Sequence, residues 1–93
     1  MKHGPADSPE WAKFSRALGL SIRQARSRAG LTQERTAELA GISLYSYQQY
    51  ERGQVVRGGE ATNPRLATIL AISQALDTTL ENLLPEVPRL LPR

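Results

Sequence analysis

Apolar residues recur every three or four positions along most of this chain, and that period marks helix rather than strand. In SPEWAKFSRALGLSIRQARSRAG, the residues Trp11, Phe14, Leu18, Ile22 and Ala25 share one helix face. Ser8 is placed to cap this helix, Pro9 suits its first turn, and Gly30 is its C-terminal stop. A start nearer Phe14 is also compatible, because Gly19 weakens any long helix. LTQERTAELAG predicts a second, short helix, capped by Thr32, with Glu34 near its positive end and Gly41 closing it. ISLYSYQQYERG predicts a third, capped by Ser43 and stopped by Gly53. Only a few residues around Gly41 separate the two, so they form a tight helix-turn-helix unit.

QVVRGGEATN predicts a loop with Gly58 and Gly59 as its flexible point. Asn63 and Pro64 then open a fourth helix as cap and first-turn proline. Its apolar positions Leu66, Ile69, Leu70, Ile72 and Leu76, with Ser73, suit a central element. Thr78 and Glu81 have capping-box spacing before a fifth, short helix, and the proline-containing tail cannot be a regular helix. No repeat and no period-2 strand is visible. The expectation is an all-α chain with a flexible arm over residues 1–8, one domain over residues 9–84 and a tail over residues 85–93.

Ninety-three residues suit a single small core. There is no cysteine, hence no disulfide and no thiolate metal site. No apolar run reaches the roughly 18 residues of a membrane helix, and the start lacks a secretory h-region, so a cytoplasmic location is expected. The net charge of +3 is unevenly spread. Residues 13–65 hold nine basic and four acidic side chains, and the flanks hold three basic and five acidic. A basic middle suits a polyanionic partner, or is simply a solvated helical surface.

Particular residues narrow the choice. The marks Ile22-Arg23 with Arg26, Gly30-Leu31-Thr32-Gln33, Gly41-Ile42-Ser43, Glu51-Arg52-Gly53 and a proline followed by spaced Leu/Ile occur in one order. Residues 18–84, which carry them, resemble the phage-repressor/Cro-like (XRE) helix-turn-helix family. The resemblance implies a five-helix, lambda-repressor-like domain whose helix over residues 43–51 lies in the DNA major groove. A groove about 12 Å wide admits one helix and offers donor and acceptor patterns on base edges. Tyr47 and Tyr50, three apart, are expected to face inward; Leu44, Tyr45, Gln48 and Gln49 fall on or beside the opposite face. Gln49 can bond adenine N6 and N7 with both ends of its amide, and Leu44 can touch a thymine methyl. Tyr45 can reach a base edge or a phosphate. Gln48 is either a reader or a plain exposed polar residue.

Backbone contacts are expected from Thr32 and Gln33 at a helix N-terminus, from Ser43 and Ser46, and from Arg57 and Arg65. Arg26 and Glu51 match a family pair that locks two elements together. Two departures stand out. The loop carrying Arg57 is longer than is common in the family, and either tracks the groove or is a mobile insertion. Thr36 replaces a usual buried leucine, and Leu39 or the Tyr47 ring would have to fill that volume. Leu80, Leu83, Leu84, Val87, Leu90 and Leu91 either form a dimer surface, with Trp11 beside it, or close the monomer core. His3 is the sole histidine, and no serine has a His or Cys partner, so an enzyme, a metal or a cofactor is not expected. The expected function is a sequence-specific double-stranded DNA-binding regulator, a homodimeric repressor on a palindromic operator. The alternatives are a helical interaction module, or an antitoxin whose tail clasps a toxin.

Overall fold

Each of the first three helices starts on a hydroxyl and ends on a glycine. In a computed structural model, which describes residues 4–91, they are α1 (Pro9–Ala29), α2 (Gln33–Ala40) and α3 (Leu44–Arg52). The hydroxyls of Ser8, Thr32 and Ser43 accept the N–H groups of Trp11, Arg35 and Ser46 at 3.0–3.1 Å. Gly30, Gly41 and Gly53 adopt φ of +71°, +73° and +77°, the left-handed turn that side chains resist. α4 (Leu66–Ala75) and α5 (Leu80–Leu83) complete the all-helical domain. Residues 4–8, expected as part of an arm, include a 3-10 turn at Pro5–Asp7. The β pairing among the described residues is one isolated antiparallel bridge, Gln54 to Ala61. No helix is long and apolar enough to cross a membrane.

The core joins Leu18, Ile22 and Ala25 of α1 with Ala37, Tyr47, Ile69, Ile72, Leu76 and Leu83. Gly19 lies inside the long α1 for a reason absent from its own helix. A Cβ there would stand 2.4 Å from the Glu51 carbonyl oxygen and 2.7 Å from that of Tyr50. α3 therefore rests directly on the α1 backbone. Gly53 makes the matching contact, since a Cβ there would meet Arg16 Cα at 2.7 Å. The α1 start at Pro9, rather than near Phe14, is held from the loop side. Trp11 Nε1 donates to the Thr62 carbonyl at 3.0 Å, and the Ser15 hydroxyl donates to the same oxygen at 2.7 Å.

Several local expectations are corrected. Asn63 and Pro64 do not open α4; the chain stays extended through Arg65, which is the N-cap without a side-chain bond. The clamp on Thr62 delivers the chain to α4 two residues later than its own cap signals suggest. Leu66 (65% exposed) and Leu70 face outward, so α4 buries Ile69, Ile72 and Ser73, and its C-cap Leu76 is buried with them. Thr79, not Thr78, caps α5 by accepting the Asn82 N–H at 3.0 Å. Thr78 is occupied in closing α4, its N–H donating to the Ser73 carbonyl at 2.9 Å. Leu83 is 1% exposed and closes the core, so it is not available to a dimer surface. Trp11 is engaged with Thr62 and with the Phe14 ring, 5.4 Å away between centroids. Leu39 is 47% exposed and fills no space near Thr36; Thr36 is itself fully buried, its hydroxyl donating to the Thr32 carbonyl at 2.8 Å.

Candidate nucleic-acid interface

The third helix divides as its spacing requires. Tyr47 is wholly buried and Tyr50 packs against the core, while Tyr45 is 64% exposed and Gln48 is exposed beside it. Leu44, Ser46 and Gln49 are half-buried at the margins of the outer face. A rod anchored on one side by rings and open on the other has the shape a groove needs.

What fixes this rod is a cluster around Glu51. Arg26 Nε donates to Glu51 Oε2 at 2.6 Å, Arg26 Nη2 to Oε1 at 3.3 Å, and Arg26 Nη1 to the Leu31 carbonyl at 3.0 Å. The Tyr47 hydroxyl donates to Glu51 Oε2, and Gln33 Nε2 donates to Oε1 at 3.0 Å. The two charged side chains are only 19% and 5% exposed, so the expected ion pair is present and largely shielded. Burial pushes the Glu51 carboxyl up, but donors from Arg26, Tyr47 and Gln33 together outweigh it and hold it below its ordinary value. The bond to Glu51 raises Arg26 against the opposing effect of burial. Burial first, and the bond to Glu51 second, push the Tyr47 phenol well above its usual range.

The Gln33 amide is thus not an isolated solvated group. It donates to Glu51 and accepts from Gln48 Nε2 at 3.2 Å, which links α2, the outer face of α3 and the ion pair. Thr32 and Ser43 serve as caps, and each hydroxyl oxygen is used by a backbone N–H. Ser46 receives the Ser43 hydroxyl hydrogen at 3.0 Å, which leaves its own hydrogen for an outside acceptor. Arg57 and Arg65 are exposed, one in the loop and one at the start of α4.

The loop over residues 54–62 is ordered by its own bonds. Val55 N–H donates to the Glu60 carbonyl, and Gly59 N–H to the Val56 carbonyl, both at 2.8 Å. Thr62 N–H returns to the Gly53 carbonyl at 3.0 Å. Two side chains of α3 reach into it. Gln49 Nε2 and Arg52 Nη2 both donate to the Val55 carbonyl, at 2.8 and 2.9 Å.

Sequence reasoning gave no role to Arg23 or Arg52. Both line an open hollow beside the outer face of α3, together with Gln33, Gln48 and Arg57. Arg23 lies three residues before Arg26, a same-face helical spacing that could have revealed it. Nothing in the sequence foretells that Arg52 folds back onto the loop. His3 lies outside the described residues.

Comparison with known proteins agrees with this geometry. A family model described as a helix-turn-helix domain matches residues 17–84. The chain is also similar to the crystal structure of the restriction-modification controller protein C.AhdI from Aeromonas hydrophila. That likeness has 32% identity and a TM-score of 0.65, and covers 77% of this chain and 97% of that one. Among curated proteins, no sequence matches. Family membership points to regulation rather than catalysis. With its caps, its glycine turn and the arginines that flank the outer face of its third helix, the chain belongs to the helix-turn-helix family in its phage-repressor/Cro-like form, and is a DNA-binding transcription regulator.

Proposed function

We propose that the protein is a homodimeric repressor that reads a palindromic double-stranded operator with the outer face of α3. The observation that carries this reading is the open face of Tyr45 and Gln48, with Gln49 at its margin, held at a fixed angle by the shielded Arg26–Glu51 pair. Leu44, Tyr45, Gln48 and Gln49 contact base edges. Thr32, Gln33, Ser43, Ser46, Arg57 and Arg65 contact phosphates, with Arg23 beside them. One small domain makes few base contacts, so two symmetric copies supply useful specificity, with reading helices about 34 Å apart. The dimer surface is assigned to the exposed Val87 and Leu91 of the tail, with the half-buried Leu80, Leu84 and Leu90 beside them, of which Leu80 and Leu84 also pack against the core.

Two substitutions test the division of labour. Gln49→Ala is expected to erase discrimination at one base pair, a loss of about 1–3 kcal/mol for the preferred duplex. Arg65→Ala is expected to weaken all duplexes alike and to make the log–log salt slope about one unit shallower. Uniform loss of affinity in both variants, measured by anisotropy titration over a panel of duplexes, would contradict the assignment.

A further inference from the structure

We infer that the backbone carbonyl of Val55 is a positioning group for base recognition, because it fixes which end of the Gln49 amide is presented outward. This rests on the reading of Gln49 as a base-contacting residue. Gln49 Nε2 gives one hydrogen to the Val55 oxygen at 2.8 Å. A reversed amide would set Gln49 Oε1 against that oxygen, two acceptors in contact, so the amide is held in one order. The second Nε2 hydrogen and Oε1 have no partner among the described residues and are left as an adjacent donor and acceptor. Adenine offers the complement in the major groove, an N6 donor beside an N7 acceptor, whereas guanine offers two acceptors. A glutamine free to turn its amide would accommodate more than one base edge; a pinned one favours adenine.

The pin itself is braced. Arg52 Nη2 donates to the same Val55 oxygen at 2.9 Å, and Arg52 Nε to the Gln54 carbonyl at 3.2 Å. Gly58 N–H donates to Gln54 Oε1 at 3.2 Å, and the bridge from Gln54 to Ala61 closes the loop. Its far end is tied to α1 through Thr62, which receives Trp11 and Ser15. The long loop is thereby a rigid hook that returns to α3 at the residue proposed to read a base.

The test replaces the amide between Val55 and Val56 by an ester in a semisynthetic full-length chain. An ester carbonyl is a weaker acceptor. The Val56 N–H lost in the exchange donates no bond within the loop. The ester chain, the wild type and Gln49→Ala each select from the same random-sequence duplex pool, with helix content checked by circular dichroism. The expected result is an adenine preference in the wild type that falls about tenfold in both the ester chain and Gln49→Ala, at the same base pair and no other. An ester chain that keeps the full preference, while Gln49→Ala loses it, overturns the positioning role and leaves the base-reading role standing. Wild-type preference in Gln49→Ala overturns both. If the ester chain does not fold, Arg52→Ala takes its place. Loss of the same preference, partly rescued in Arg52→Lys, supports the inference, and an unchanged preference in Arg52→Ala overturns it.

Discussion

Glu51 shows how one side chain sets the posture of a whole surface. It receives Arg26, Tyr47 and Gln33, and so ties α1 and α2 to the end of the reading helix. Glu51→Ala strands the Arg26 guanidinium in a largely shielded site, and is expected to lower unfolding stability by about 3 kcal/mol in a urea titration. The pH dependence follows from the depressed carboxyl. Below its ordinary value of 4.5 the unfolded chain binds a proton that the folded chain still refuses. The contribution of Glu51 is therefore complete above that value and is lost as pH falls through the lower, folded value. Thermal unfolding between about pH 6 and pH 3 should decline less steeply for Glu51→Gln than for the wild type; equal slopes would contradict the assigned role. Gly19 makes a second case. By helix propensity alone, Gly19→Ala would stabilise the chain by about 1 kcal/mol. With a Cβ placed 2.4 Å from the Glu51 carbonyl, the expected outcome is a net loss of about 1–3 kcal/mol and a lower melting temperature.

At the scale of elements, α4 is capped by Leu76 and the chain turns left-handed one residue later, at Asp77 with φ +56°, where the first three helices turn on their glycine caps. A left-handed side-chain residue carries a cost of about 1–2 kcal/mol, so Asp77→Gly is expected to raise the melting temperature, opposite in sign to Gly19→Ala. The contrast between these two positions also explains what the sequence could disclose. The caps Ser8, Thr32 and Ser43, the glycine stops and the inward tyrosines were legible, because each follows from bonds within a few residues or from one helix period. The crossing at Gly19, the late start of α4 and the choice of Leu83 for the core were not, because they depend on neighbours dozens of residues away. The cap falls on Thr79 for a nearer reason: the Thr78 N–H is taken up by the Ser73 carbonyl in closing α4. Ser21 illustrates the distance: its hydroxyl donates to the Leu83 carbonyl at 2.5 Å and helps hold α5 against α1. The loop was read with mobility as one alternative from its glycine pair. The paired carbonyls and amides within it, and the return contacts from Gln49 and Arg52, are set by the path of the chain between Gly53 and Thr62. The outer face of α3 was legible as a face, but the orientation of each amide on it was not.

For the whole molecule, charge and apolar surface should act separately. Arg23, Arg57 and Arg65 are the arginines proposed to contact phosphates, and on that proposal duplex affinity should fall with salt at a log–log slope of about −0.9 per phosphate neutralised. Val87 and Leu91 are 71% and 67% exposed beyond the core and are assigned to self-association. Val87→Asp with Leu91→Asp should shift the molecular mass seen by light scattering from dimer to monomer, while helix content is retained. Leu66 and Leu70 are the competing exposed pair on α4. Dissociation caused by Leu66→Asp with Leu70→Asp, and not by the tail substitutions, would relocate the interface. Base reading by α3, duplicated across a two-fold axis, is tested most directly by selecting bound duplexes from a random-sequence pool with the full-length protein. The expected result is an enriched inverted repeat with half-site centres about 10 base pairs apart, each containing the adenine assigned to Gln49. Selection that enriches no sequence, while the chain remains folded at about 50 mM salt, would contradict the account.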